Sequence, residues 1–167
     1  MPEPEAKRVS DSRTEHVQIL MPEHINGYGR LFGGKLVEWI DVVAAVVARR
    51  HANRNVTTVF IDNLHFKAAA YVNDTILIVG RVTYVGRTSM EVRVDTFVES
   101  LSRTKTLVNR AYLVMVALDD DEKPVQVPGL VLETGEERQE WEAGAKRTRQ
   151  RKQREAGTSS EQTPLRS

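Results

Sequence analysis

Four long stretches in the second half of this chain run apolar and β-branched: Val56–Phe66, Thr75–Val85, Ser89–Ser100 and Lys105–Leu118. Turn residues separate them, at Asn73-Asp74, Gly86 and Ser102, so the pattern predicts four consecutive strands. Ser89–Ser100 alternates: Met90, Val92, Val94, Thr96 and Val98 fall on one face, and Glu91, Arg93, Asp95, Phe97 and Glu99 on the other. That is a strand with one buried and one wetter face. An earlier strand is predicted at His16–Met21, closed by Pro22. A glycine-rich loop then covers residues 22–34, and a helix of roughly 25 Å follows from about Gly34 to Arg50. With Leu36 placed at 0°, polar side chains on this helix fall only near about 140° (Asp41), 200° (Glu38) and 220° (Arg49). A helix apolar nearly all round is a buried one. Strand, helix and four strands in that order predict an α+β domain, with one helix buried against a single antiparallel sheet.

The flanks are polar. Residues 1–13 are expected to be disordered, and residues 14–130 to hold the domain. The proline-containing stretch DDDEKPVQVPG ends the strands. Residues 131–167 are expected to hold a charged helix at about 135–152 and a disordered end, AGTSSEQTPLRS. Few apolar side chains follow residue 146, so that part is expected to be dispensable for folding.

Composition narrows the chemistry. The 24 basic and 23 acidic side chains leave a net charge of +1, which selects no partner, although Lys146–Arg154 forms a local basic run, KRTRQRKQR. The absence of cysteine excludes disulfides, thiolate nucleophiles and thiolate metal sites. His24, His51 and His65 share no spacing that would hold a metal. The N-terminus lacks the apolar core of a secretory signal, and the longest apolar segment, Leu36–Ala48, is interrupted by Glu38 and Asp41 and is too short to span a bilayer. A cytoplasmic protein is the expectation.

Asp41 lies two turns into the helix among small or apolar neighbours, Val37, Ala44, Ala45 and Ala48. It is either a general base or nucleophile with room beside it for a substrate, or one member of a solvated arc with Glu38 and Arg49. Gly33-Gly34 marks the helix N-terminus, where free amides and the dipole favour negative charge, or where glycine simply permits tight packing. Asn26 alone reads as a turn residue as readily as a functional one.

The segment His24–Asp41, HINGYGRLFGGKLVEWID, resembles the signature of the acyl-CoA hydrolase family of hotdog thioesterases in Asn26, Gly29, Phe32, Gly33, Gly34 and Asp41. The resemblance continues through ARRHANRNVTTVFIDNLHF, GRTSMEV and AYLVMVALDDDEKPVQVPG, covering roughly residues 14–130. One departure stands after Phe66: KAAAYVND places Ala69 and Asn73 where members commonly have proline and glycine. The resemblance implies the hotdog fold, a long curved antiparallel sheet wrapped around one central helix. It implies hydrolysis of fatty acyl-CoA to fatty acid and CoA, with Asp41 as base or nucleophile and the Gly33 and Gly34 amides as oxyanion site. Asn26 would orient the water or the thioester carbonyl from a partner subunit. The main chain at Thr58, Val59 and Phe60 would run beside the pantetheine arm, and the turn at Arg87, Thr88 and Ser89 would contact pantetheine and phosphates. No metal or cofactor is implied, CoA being part of substrate and product. A dimer, and further a trimer of dimers, is implied.

Three alternatives remain. A non-catalytic acyl-CoA-binding hotdog protein is one. A hotdog hydratase is another, although it needs a histidine on the helix, which here carries none before His51. Nucleic-acid binding through the basic run is the third, without the aromatic interleaving that such surfaces use. That run otherwise reads as a solvated helix face or as an attraction for the CoA 3′-phosphate.

Overall fold

A computed structural model describes residues 2–62 and 64–159 of the chain. The elements open with β1 (Lys7–Arg8), α1 (Val9–Ser12) and β2 (Thr14–Ile19). The long helix α2 (Gly33–Ala52) and β3 (Asn55–Asp62) follow. Then come β4 (Thr75–Val85), β5 (Ser89–Glu99), β6 (Lys105–Leu118), β7 (Leu130–Val131) and α3 (Gly135–Ser159). Five strands form one antiparallel sheet in the order β2-β4-β5-β6-β3, which curls around α2 in the hotdog arrangement. β2 and β3 are its edges.

The concave face and α2 make the core. Leu36, Ile40, Val43, Ala44, Val47 and Ala48 of α2 are buried with Ile76, Ile78 and Val82 of β4, Met90, Val92 and Val94 of β5, and Leu113 and Met115 of β6. Each fully buried Leu, Ile, Val or Met contributes about 1.5–3 kcal/mol relative to exposure. The helix packs tightly on the sheet at Gly80, where a Cβ would lie 2.8 Å from Val43 Cγ1 and 2.9 Å from Val47 Cγ2. β4 can pass under α2 there because residue 80 has no side chain.

The convex face departs from expectation. Glu91, Arg93 and Asp95 are not on a wet surface: all three are buried. α3 crosses above them and supplies counter-charges. Arg147 Nε and Nη2 grip the Glu91 carboxylate at 2.9 and 2.8 Å, with Thr83 donating to the same group at 2.6 Å. Arg93 bonds Asp95 and Glu140, Arg110 bonds Asp95, and Arg81 bonds Glu136. Trp141 packs on Tyr84 with ring centroids 4.6 Å apart. Burying charge is tolerable only when it is paired and hydrogen-bonded, and these partners come from a helix too polar to be read as packing. Arg147, inside the basic run, is therefore packed and not part of a solvated face, which argues against the expectation that the chain beyond residue 146 is dispensable for folding.

The N-terminal segment also differs from expectation. Lys7–Arg8 pairs in parallel with Leu130–Val131, and Val9 and Ser12 are buried. Lys7 Nζ donates to the Arg50 carbonyl at 2.7 Å, meeting one of the free carbonyls at the end of α2. Boundaries elsewhere shift slightly. β2 begins at Thr14, β3 ends at Asp62, and α2 continues to Ala52 before Asn53 caps it in the left-handed region. α3 extends to Ser159, and the rest of the expected disordered end, residues 160–167, lies outside the described residues. The departure at Asn73 is accommodated: its φ is 71°, a left-handed conformation that asparagine adopts more readily than most residues.

Candidate active site

The edge strand β3 delivers Thr58 to the helix. Its hydroxyl donates to Oδ1 of half-buried Asp41 at 2.6 Å and lies 3.2 Å from Sδ of Met115. A hydroxyl has one proton, and a carboxylate is the far stronger acceptor, so the bond to Asp41 holds it. Immediately after Thr58 the strand bulges: Thr58 pairs with Met115 and Phe60 with Val114, leaving Val59 as the extra residue. Thr58 faces inward, while the Phe60 ring meets the Arg151 guanidinium of α3 at 5.3 Å.

The polar arc of α2 divides. Glu38 pairs with Lys35 at 3.0 Å, Arg49 reaches Asn55, and Arg50 reaches Thr14. Asp41 shares none of these contacts and is held by Thr58 alone among the hydrogen bonds seen in the described residues.

A second group gathers at the helix N-terminus. Phe32 precedes the helix without a side-chain cap, and its carbonyl accepts from Lys35 and Leu36. No acceptor among the described residues meets the Gly33 or Gly34 amides. A Cβ on Gly33 would sit 3.5 Å from the Phe66 ring, and one on Gly34 would sit 2.6 Å from the Phe32 ring. Asn26 forms the turn that the sequence allowed: its Oδ1 accepts from the amides of Tyr28 and Arg30 at 3.0 and 3.2 Å. A groove of about 400 Å³ joins this group, lined by Asn26, Leu31, Gly33, Phe66, Ala69 and Val108 among others.

The structure thus pairs Asp41 with Thr58 and Asn26 with Gly33, and it separates the two groups. Seven residues of helix from Gly34 to Asp41 amount to about 10 Å along the axis. A single carbonyl must lie about 3 Å from both oxyanion donors and the attacking group. One protomer's glycine amides and its own Asp41 cannot meet that condition.

The turn at Arg87, Thr88 and Ser89 is pinned from below. The Gly86 amide bonds the Ser89 carbonyl, Ala117 donates to the Thr88 carbonyl, and Val127 donates to the Arg87 carbonyl. Ser89 lies opposite Val116, which lies opposite Thr57, so the turn shares an end of the sheet with Thr58. Val59 and Phe60 flank the bulge as described.

Sequence reasoning assigned only main chain at Thr58 and missed its hydroxyl. The available signal was an inward-facing threonine in an apolar strand, since a buried hydroxyl requires a partner. His51 is fully buried, about 15 Å of helix beyond Asp41, and donates from Nε2 to the Pro128 carbonyl at 2.9 Å. Among the described residues, no group of three or more His, Asp or Glu could hold a metal ion, and no helix is long and apolar enough to cross a membrane.

Comparison with known proteins places this geometry. Residues 28–104 match the Thioesterase superfamily. An uncharacterized acyl-CoA thioester hydrolase of Bacillus subtilis is 35% identical, the match covering 92% of this chain and 90% of that protein. A solved apo-hexameric acyl-CoA thioesterase is 38% identical with a TM-score of 0.85, over 92% of this chain and 99% of that one. An acyl-CoA hydrolase from Staphylococcus aureus, solved with butyryl coenzyme A and coenzyme A, is 31% identical with a TM-score of 0.85, over 93% and 95% of the two chains. With the curled sheet, the buried helix and these relatives along nearly its whole length, the chain belongs to the thioesterase superfamily, among the acyl-CoA thioester hydrolases of hotdog fold.

Proposed function

We propose that this acyl-CoA thioester hydrolase cleaves fatty acyl-CoA to fatty acid and CoA at a site built from two copies of the chain. One copy contributes Asp41, held by Thr58. The other contributes Asn26 and the amides of Gly33 and Gly34. The observation that carries this reading is the separation of the two groups by about 10 Å of helix, which no single protomer can bridge.

The chemistry then follows from the parts. The Asp41 carboxylate either takes a proton from a water that attacks the thioester carbon, or attacks that carbon itself to form a mixed anhydride that water then hydrolyses to the fatty acid and free Asp41; Thr58 fixes its orientation while one oxygen stays open. The glycine amides, at the positive end of the α2 dipole, receive the charge that develops on the carbonyl oxygen. Asn26 orients the water or the carbonyl. The C–S bond breaks, and the CoA sulfur leaves as thiolate and takes up a proton. No metal is assigned a role.

Assembly is supported by the surface at these groups. Phe32, Val42, Val59 and Phe66 are each about half exposed, and Val42 and Val59 adjoin Asp41 and Thr58 in sequence. A second subunit covers such side chains and completes the site. The hexameric state of the apo-thioesterase relative supports a trimer of dimers here.

The test is free-thiol release from acyl-CoAs of short, medium and long chain, with and without chelator. Turnover insensitive to chelator is the expected result. No turnover with any chain length would replace this reading with a non-catalytic acyl-CoA-binding protein.

A further inference from the structure

The loop that carries Asn26 is loose at its tip and tied at its base. Gly27 and Gly29 lie at the tip; Gly29 has a φ of 76°, and a Cβ built on either would meet nothing within 4 Å. Glycine adopts both signs of φ at little cost, so the tip does not set its own direction. Below it the two arms pair. Ile25 bridges Leu31, and the Asn26 amide donates to the Arg30 carbonyl at 2.8 Å. The Asn26 side chain is bound back onto the same loop by the amides of Tyr28 and Arg30. Side chain and arms therefore move as one piece.

His24 sits where the arms close. Its carbonyl accepts from the Phe32 amide at 2.8 Å, joining the entry of the loop to the residue before α2. Its Nδ1 accepts from the Met21 amide at 3.0 Å. A backbone N–H can only donate, so Nδ1 is the unprotonated nitrogen and Nε2 carries the proton. The Glu23 carboxylate lies 3.9 Å from Nε2, a neighbour that favours a proton there. The imidazole is only 11% exposed and meets Trp39 of α2 edge-on, with ring centroids 4.9 Å apart. Trp39 also meets His16 of β2, at 6.1 Å, and packs against the core, so the seat is itself fixed. One side chain thus ties the loop both to the chain before it and to the helix that bears Asp41.

We propose that His24 is a positioning residue: its Nδ1 bond to the Met21 amide, with the ring seated on Trp39, sets the angle at which the loop presents Asn26 to the reacting carbonyl. This rests on the role given to Asn26 in the two-copy site. His24 acts through the loop and not on the substrate.

The experiment is steady-state kinetics on the full chain with one acyl-CoA that the wild type turns over. Calorimetry with CoA and light scattering accompany it. His24→Phe keeps a ring for Trp39 and removes the acceptor. It should lower kcat about ten-fold, between the loss expected of one neutral hydrogen bond and that of about 1 Å of misplacement. CoA affinity and assembly should stay within about two-fold, because Asn26 serves the reacting centre and not the CoA arm. His24→Asn puts an oxygen where Nδ1 stands and should recover kcat to within about three-fold of wild type. If the phenylalanine variant does not assemble, His24→Gln, which moves the acceptor one bond outward, takes its place. Asn26→Ala, alone and with His24→Phe, closes a double-mutant cycle. Asn26→Ala alone should cost more than about ten-fold, and the histidine change should then add less than about two-fold. A phenylalanine variant as fast as wild type, an asparagine variant as slow as the phenylalanine one, or losses that multiply in the double variant each overturn the proposal. A harmless Asn26→Ala is a different result: it removes Asn26 from the two-copy site, and the proposal with it.

Discussion

The Thr58 hydroxyl donates to Asp41 Oδ1 across the gap between an edge strand and the central helix, at 2.6 Å. Each residue is ordinary alone: a carboxylate on a helix, a threonine in a strand. Held together, they leave a carboxylate with fixed orientation at the open side of the sheet.

Asp41→Asn should cost on the order of 10² to 10⁴ in kcat, because the amide keeps size and hydrogen bonding but can neither take a proton nor attack. Glu38→Gln, which loses only an exposed pair with Lys35, should cost less than about two-fold. Steady-state kinetics on one acyl-CoA compares them. If Asp41→Asn keeps more than about a tenth of wild-type kcat, the carboxylate that matters lies elsewhere.

Thr58→Val should lower kcat by about ten-fold with little change in assembly, since it removes one charge-assisted bond and almost no volume. Thr58→Ser, which keeps the hydroxyl, should recover most of the loss. A serine variant as impaired as the valine one would show that the methyl group matters and not the bond.

Val42→Glu/Val59→Glu should dissociate the assembly toward the 18.9 kDa monomer and abolish turnover together. Light scattering and thiol release on the same sample decide it. A fully active monomer would refute the two-copy site.

Arg147→Ala should destabilise the fold by about 3 kcal/mol, because it strands the buried Glu91 carboxylate without its ion-pair partner. Arg147→Met with Glu91→Gln should recover much of that, since a pair removed together leaves no orphan charge. Truncation after residue 146 should behave like the single change. Denaturant midpoints separate these outcomes, and an unaffected truncation would mean that the part of α3 beyond residue 146 contributes nothing to stability.

His51 gives a pH signature. Burial holds its pKa below the ordinary 6.5, with Lys7 adding to the depression, while the bond to the Pro128 carbonyl and Asp11 oppose it. Nδ1 has no partner among the described residues, so the imidazolium would bury an unbonded N–H. The unfolded chain therefore takes the proton first, and stability falls as pH drops below about 6.5. Above that pH both states are neutral and His51 contributes no slope. Melting temperatures between pH 7.5 and 5.5 should decline in the wild type, and the decline should flatten in His51→Gln. A parallel decline in both would assign the slope to other groups.

The sequence was readable where periodicity and local chemistry agree. β4 and β6 begin and end where turn residues placed them, and the all-round apolar α2 is buried as its composition requires. The signature glycines fall at the start of that helix. Long-range pairing was not readable. Glu91, Arg93 and Asp95 alternate like a wet face because the strand's own sequence carries no record of α3, whose charges arrive about 50 residues later. Val9 in a polar N-terminal segment gave too little signal to predict that it packs. The bulge at Val59 moves Phe60 to the opposite face from the one that strict alternation gives, and no residue type at that position announces it.

Gly80 sits far from the chemistry, yet it sets the ruler by which the chemistry is measured. The helix rests on it through Val43 and Val47, the turns just beyond Asp41. Adding one methyl group at residue 80 would jack α2 away from the sheet, and the distance between a helix carboxylate and a strand hydroxyl would lengthen with it. A displacement of about 1 Å can cost about a hundred-fold in rate even from a remote change. The tolerance of this enzyme to drift at position 80 is thus a tolerance of reaction geometry, and a site that lacks a side chain works as the gauge block for one that has it.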